Sequence, residues 1–394
     1  MSFDGQWATS FGPMTLQQVG DRVTGRYGRN GAENAIEGTV ETDKLTFHYE
    51  EPAERGTGWF RLKRTGCFAG EYLADGNARA LPWQGWRGFD GLWDTSLGRL
   101  RLVQEGERVW GSSELDASVR LEGDIEADGR LPFRVEGATL KGGGHLDIDD
   151  AGYLLDGEWT EDGQSPGAVR GQRAMPRPGF RWLVVLEAHR QRALDDNEFA
   201  LGRLLREQLA SLPWTMVRHR YYDDAAGLMR WCRQLLYLPE PSIVVVSGSA
   251  ATVAAMGGDA ATSPAATSPA AIVDSLRYAD GVKLLHLAAP ASLAGQDAAR
   301  LLNDAPFPVS GYTSNVDWAQ CALLEGIYLD MILDKGLTPE HAAAQLPQLV
   351  SFAGTESPPG SPYRPAGFTF IGVEGRLAEA IVSPQHGTVS RRLH

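Results

Sequence analysis

Phe3-Asp4-Gly5-Gln6-Trp7 returns later in the chain as Phe89-Asp90-Gly91-Leu92-Trp93, and this recurrence decides the architecture of the first half. The offset is 89 − 3 = 86 residues. It continues without a gap through Thr9/Thr95, Gly12/Gly98, Leu16/Leu102, Gly20/Gly106, Arg22/Arg108, Val23/Val109 and Gly25/Gly111. With a slip of one, Ile36-Glu37-Gly38 answers Leu121-Glu122-Gly123, and Gly70-Glu71-Tyr72 answers Gly157-Glu158-Trp159. Each copy closes on Arg-Gly, at Arg87-Gly88 and Arg170-Gly171. The chain therefore opens with two copies of one unit, over residues 1–88 and 89–175. A period this long is a domain duplication, not a solenoid repeat.

Within each copy the polarity alternates. Residues 14–19 and 22–27 alternate on either side of Gly20-Asp21, and residues 39–41, 45–49 and 58–62 continue the pattern. Period-two alternation broken by Gly, Asn and Asp every few residues is the signature of antiparallel strands. Arg29-Asn30-Gly31 has the composition of a tight turn. Six to eight short strands per copy suffice for a small barrel or a curved half-barrel. The segment resembles the Gly- and Trp-rich β-meander repeats of many bacterial proteins.

Trp7, Trp59, Trp93, Trp110 and Trp159 read as core fillers, since a small barrel needs large side chains. Trp83 and Trp86, close together in Trp83-Gln84-Gly85-Trp86 at a domain edge, are candidates for a ligand cradle or a contact between modules.

Bulk composition sets limits. Hydrophobic content of 43% and charged content of 22% are those of a folded chain. A net charge of −13 disfavours nucleic-acid or anionic-membrane partners through bulk charge. Cys67, Cys232 and Cys321 are far apart, and no Cys/His spacing suggests a metal; reduced thiols and no cofactor are expected. The start, Met1-Ser2-Phe3-Asp4-Gly5, lacks the features of a signal peptide, and no apolar run is long enough for a membrane span. A cytoplasmic location is the expectation. Nothing in the sequence indicates oligomeric state.

Past a Pro/Gly-rich linker (Met175-Pro176-Arg177-Pro178-Gly179) the periodicity changes, and a third domain is expected over residues 180–394. Strands are expected at 182–187, 214–221, 242–248, 282–288 and 307–312. Helices are expected at 197–212, 225–237, 272–278 and 318–333, with a short edge strand at 367–372 and a frayed end at 389–394. Alternating strands and helices imply a three-layer α/β domain on a mostly parallel sheet. Ligands of such sheets bind at the strands' carboxyl ends. That singles out Ser247, Gly248 and Ser249, then Pro290 and Ser292, then Tyr312, Asp317 and Trp318. Asn315 or Asp317 could cap the following helix.

The strand spacing and the run Val309-Ser310-Gly311-Tyr312-Thr313-Ser314-Asn315-Val316-Asp317-Trp318 resemble the bacterial caspase-like (CHAT-related, clan CD) peptidases. In that family the third strand ends in His-Gly, the base, and the fourth ends in a small residue followed by the nucleophilic Cys. Here Ser247-Gly248 and Ala289-Pro290 stand at those places. Proline has nothing to attack with, and serine takes up no proton near neutral pH. Cys321 reads as core and His286 as lying within its strand. The direct duplication Ala261-Thr262-Ser263-Pro264-Ala265/Ala266-Thr267-Ser268-Pro269-Ala270 reads as an extended mobile loop.

Three functions follow. The resemblance implies a non-catalytic pseudo-peptidase that binds a protein or peptide partner in bacterial defence or signalling. The second is a hydrolase using Ser247, Ser249 or Ser292, with Ser247 or Ser249 paired to His286. The third is a small-molecule or glycan receptor acting through the Trp-rich modules.

Overall fold

A computed structural model describes residues 2–28, 34–77, 80–138, 140–188, 200–248, 268–295, 305–356, 359 and 361–372. The Arg29-Asn30-Gly31 turn, Ser249, the first seven residues of the Ala/Thr/Ser/Pro duplication and the 389–394 end lie outside these.

Each of the two repeats is a closed eight-stranded antiparallel barrel. The first consists of β1 (Gly5–Thr9), β2 (Gly12–Val19), β3 (Arg22–Tyr27), β4 (Asn34–Glu41), β5 (Lys44–Glu50), β6 (Arg55–Arg64), β7 (Cys67–Ala74) and β8 (Leu81–Trp86). The second consists of β9 (Gly91–Thr95), β10 (Gly98–Glu105), β11 (Arg108–Ser113), β12 (Arg120–Asp124), β13 (Leu131–Glu136), β14 (Lys141–Ile148), β15 (Leu154–Glu161) and β16 (Gly167–Arg173). Closure pairs β1 with β8 through Ala8/Trp86 and Thr9/Gly85, and β16 with β9 through Gly171/Thr95 to Arg173/Trp93. A closed barrel leaves no strand edge to be matched by another chain.

The recurring Phe-Asp-Gly-x-Trp motif is a hydrogen-bonded plug. The Trp7 indole donates to the Phe3 carbonyl at 2.8 Å, and Trp93 donates to Phe89 at 2.9 Å. Gln18 and Gln104 accept from the Phe3 and Phe89 amides, each at 2.9 Å. Arg87 covers the Trp7 ring at 3.9 Å, and Arg173 covers Trp93 at 4.2 Å. Here the structure corrects the sequence alignment. Arg87 answers Arg173 at the full offset of 86, because both must stack on the plug and bind the carbonyls beneath it; Arg170 does neither.

The third unit is a six-stranded sheet in the order β18-β17-β19-β20-β21-β22. These are β17 (Arg181–Ala188), β18 (Thr215–Tyr222), β19 (Ser242–Ser247), β20 (Val282–Ala288), β21 (Val309–Tyr312) and β22 (Phe368–Ile371). The first five run parallel, and β22 is an antiparallel edge. Five described helices flank it: α1 (Leu201–Leu209), α2 (Ala225–Leu235), α3 (Pro269–Ser275), α4 (Trp318–Leu333) and α5 (Pro339–Leu349). Leu183 and Val185 of β17 pack with α1, α4 and α5, while Val184 and Leu186 pack with α2 and α3. Strands buried on both faces read as unbroken apolar runs, which is how 182–186 and 243–246 look. No helix is long and apolar enough to cross a membrane among the described residues.

Two local expectations are revised. Ser268 and Pro269, inside the sequence duplication, start α3: the Ser268 hydroxyl accepts from the Ala271 amide at 3.1 Å, and Pro269 needs no intrahelical partner for its nitrogen. The α5 helix, capped by Thr338, was not expected.

The three units meet on a buried ionic cluster. Asp280, from the loop before β20, binds Arg64 of the first barrel (2.7 Å) and Arg101 of the second. Arg64 also binds Asp90, at the junction of the barrels, at 2.6 Å. All four side chains are at least nine-tenths buried.

Candidate functional site

The alternation of β8 sends Trp83 into the first barrel, where it is 1% exposed. Its ring lies edge-on or tilted to Tyr27 at 4.7 Å, Phe11 at 4.9 Å and Tyr72 at 5.7 Å. Phe11 comes from the turn between β1 and β2, and pairs edge-on with Tyr72 at 5.0 Å. The result is an aromatic cup at one mouth of the barrel, floored by Trp83. Carboxylates rim it: the Tyr27 hydroxyl donates to Glu51 at 2.8 Å, and the Tyr49 hydroxyl to Glu54 at 2.7 Å. Burial first, and then these carboxylates, hold the hydroxyls of Tyr27 and Tyr49 above the ordinary tyrosine range.

Over this mouth lies a cavity of about 380 Å³. Phe11, Tyr27, Tyr72, Asn34, Glu51 and Gln84 line its barrel side. Arg177 and Phe180 of the linker and Pro241, just before β19, close the other. The cavity is therefore at the amino ends of the parallel strands, not at the carboxyl ends that the sequence singled out. Arg177 is held by Glu240 at 2.5 Å and stacks on Phe180 at 4.3 Å. Burial would raise the Glu240 carboxyl, but the hydrogen bonds from Trp182 and Arg177 keep it below the usual range. Gln84 is 3% exposed, and neither atom of its side-chain amide has a partner among the described residues. A buried amide without partners costs on the order of 1–3 kcal/mol.

The second barrel has no such cup. Strand register places Leu97, Ser113, Val135 and Val169 where the first has Phe11, Tyr27, Tyr49 and Trp83. Only Trp159, at the place of Tyr72, stays aromatic, and it stacks on Phe133 at 6.1 Å. This contrast is readable in the sequence once the copies are laid side by side, yet composition drew attention to the tryptophans. Trp83 supports the cup from beneath instead of lining it. Trp86 is 4% exposed and faces Gly91 at the join between barrels.

The sites expected in the α/β unit fall apart into structural roles. Ser247 (9% exposed) and Ala288 end adjacent strands in register, with Pro290 in the turn beyond. Gly248 is buried, and the chain that follows it lies outside the described residues. The Ser292 hydroxyl donates to the Leu287 carbonyl at 2.8 Å and accepts from the Tyr312 amide at 3.2 Å. Asp317 caps α4 in a capping box with Gln320, and Trp318 is half-exposed on its first turn. The Tyr312 side chain is buried, donating to Glu325 at 2.7 Å.

His286 does not pair with Ser247. Its Nδ1 meets Ser310 Oγ at 2.8 Å and its Nε2 meets Glu325 Oε1 at 2.6 Å. A Ser–His–carboxylate order resembles a catalytic triad on paper. Ser310, His286 and Glu325 are each 0% exposed, and Tyr312, Tyr328 and Phe368 pack around the imidazole, so no substrate carbonyl can reach the hydroxyl. Sequence reading missed Ser310 and Glu325 because they become neighbours only when β21 and α4 pack together. Among the described residues, no group of three or more His, Cys, Asp or Glu side chains is placed to hold a metal ion.

No protein-family model and no curated protein matches the sequence. Among solved structures, the chain is similar to the Burkholderia oklahomensis agglutinin, at 11% identity over 41% of this chain and 88% of the agglutinin, with a TM-score of 0.15.

Proposed function

We propose that this protein is a small-molecule or glycan receptor whose binding site is the aromatic mouth of the first barrel. One observation carries the reading: two barrels share a scaffold down to the same hydrogen bonds, yet among the described residues the aromatic cup, with a cavity over it, belongs to the first. Folding alone asks the same of both copies, so the difference points to a ligand. Rings packed against each other and fixed by the barrel wall lose little entropy on binding, which favours affinity. The α/β unit supplies the opposing wall. Titration calorimetry over a glycan and metabolite panel, repeated on Phe11→Ala and Tyr72→Ala, is the test. Each variant is expected to weaken binding about tenfold, or about 1.4 kcal/mol. Leu97→Ala, at the matching place in the second barrel, is expected to leave it unchanged. Equal losses from Phe11→Ala and Leu97→Ala would sink the reading.

A second reading retains the caspase-like resemblance, with the α/β unit binding a protein or peptide without cutting it. The sheet behind it has five parallel strands and an antiparallel edge strand. On this reading Pro290 and Ser247 stand where the resembled family has its nucleophile and base. A serine-directed fluorophosphonate and a thiol-directed peptide probe are expected to leave native protein without turnover-dependent label. Labelling of Ser310, abolished by His286→Ala, would establish a hydrolase instead.

A further inference from the structure

We infer that the cup selects a compact organic cation, an alkylated ammonium ion of the kind carried by choline. This rests on the receptor reading and names its ligand class. Phe11, Tyr27 and Tyr72 line one side of the cavity together, Phe11 edge-on to Tyr72 at 5.0 Å, with Trp83 packed beneath them. The negative faces of aromatic rings attract a cation, and ammonium groups with methyl shells gain both that attraction and apolar contact. Glu51 lines the same cavity and makes no ion pair among the described residues; its recorded partner is the Tyr27 hydroxyl. The one cation lining the cavity among the described residues, Arg177, is already neutralised by Glu240 and stacked on Phe180. An incoming ammonium therefore meets an uncompensated carboxylate on the barrel side and a compensated guanidinium on the other. The hydroxyl of Tyr72, like those of Tyr27 and Tyr49, is held above its ordinary range by burial first and then by Glu54 and Glu51. The two carboxylates add to what burial already does.

The second barrel again serves as the internal contrast. Strand register puts Gly137 where the first has Glu51, so the carboxylate and the aromatic walls are absent together. Rings alone would suit a sugar face or an apolar ligand equally well. Rings combined with an unpaired carboxylate favour positive charge.

The test is calorimetric titration of the full chain at low ionic strength. The probes are choline, its uncharged isostere 3,3-dimethylbutan-1-ol, and neutral saccharides. Saturable choline binding, at least tenfold weaker binding of the isostere, and about a tenfold loss in Glu51→Gln with an unchanged near-UV spectrum are expected. Choline and isostere binding equally, or Glu51→Gln binding as the parent does, would overturn charge recognition while the receptor stands. A saccharide that binds where choline does not, and is lost in Phe11→Ala, also overturns the cation and keeps the receptor. If none of the probes binds, the cation inference falls; if the wider panel is silent too, the receptor reading falls with it.

Discussion

At the scale of single residues, the same side-chain type does different work according to what its neighbours leave open. Trp7 and Trp93 satisfy their indole nitrogens on a carbonyl four residues back and close their barrels. Trp83 has no partner for its indole nitrogen among the described residues and spends its surface on ring contacts. Glycines are placed against these rings. A Cβ at Gly58 would sit 2.5 Å from Phe47 and 2.7 Å from the Glu71 carbonyl. Backbone stands on one side of that contact, so it cannot be relieved by turning a side chain. Gly58→Val is therefore expected to destabilise the first barrel by about 1–3 kcal/mol, the usual cost of overpacking. Urea unfolding followed by tryptophan emission measures it, and an unchanged midpoint would show the wall to be softer than its packing implies. Histidine gives the parallel lesson: His286 was a candidate base by its type, and its burial makes it a strut between β21 and α4.

At the scale of elements, most strands were legible. Residues 22–27 and 318–333 were expected at the limits the structure has, because turn glycines and an Asp cap mark them. The β5 and β6 strands came out longer than their alternating cores, since pairing extends a strand past the residues whose polarity announces it. Phe199, Leu201, Leu204, Leu205 and Leu209 stand at helical spacing in the expected 197–212 helix. Leu201, Leu205 and Leu209 are buried, Leu204 is 36% exposed, and Phe199 lies outside the described residues. The α5 helix went unseen because Pro347 and a run of alanines blur its apolar face. Low-complexity composition misled at α3, where Ser-Pro is a helix start and not a loop.

At the scale of the whole molecule, the ionic cluster around Asp280 ties three units together. Burial alone would raise the Asp280 carboxyl, but Arg101 and Arg64 hold it well below the usual carboxylate range. A carboxyl whose folded pKa is depressed contributes stability above its unfolded pKa, about 3.9, and that contribution is lost as pH falls through the folded value. Asp280→Asn removes the charge and leaves two buried arginines undercompensated, at a cost of about 3–5 kcal/mol. The variant is expected to unfold, or to separate its units, at a lower urea concentration at pH 7. It should also lose part of the parent's acid sensitivity below about pH 4. Small-angle scattering against pH, with parent and variant side by side, checks both; identical acid midpoints would remove Asp280 from the account. The wall that Arg177, Phe180 and Pro241 form over the cup depends on this docking, so the same variant links domain assembly to ligand binding.

The duplication, the antiparallel character of both copies, the linker and the alternation of the third unit all follow from the sequence by itself. Each is a local pattern: a period, a spacing or a turn residue. Closure of each barrel, the Arg87–Arg173 equivalence, the burial of the Ser310–His286–Glu325 array and the cup at Phe11, Tyr27 and Tyr72 were decided by tertiary structure alone. These depend on residues far apart in the chain, and only the register of one strand on the next determines which side chains share an interior and which mouth stays open.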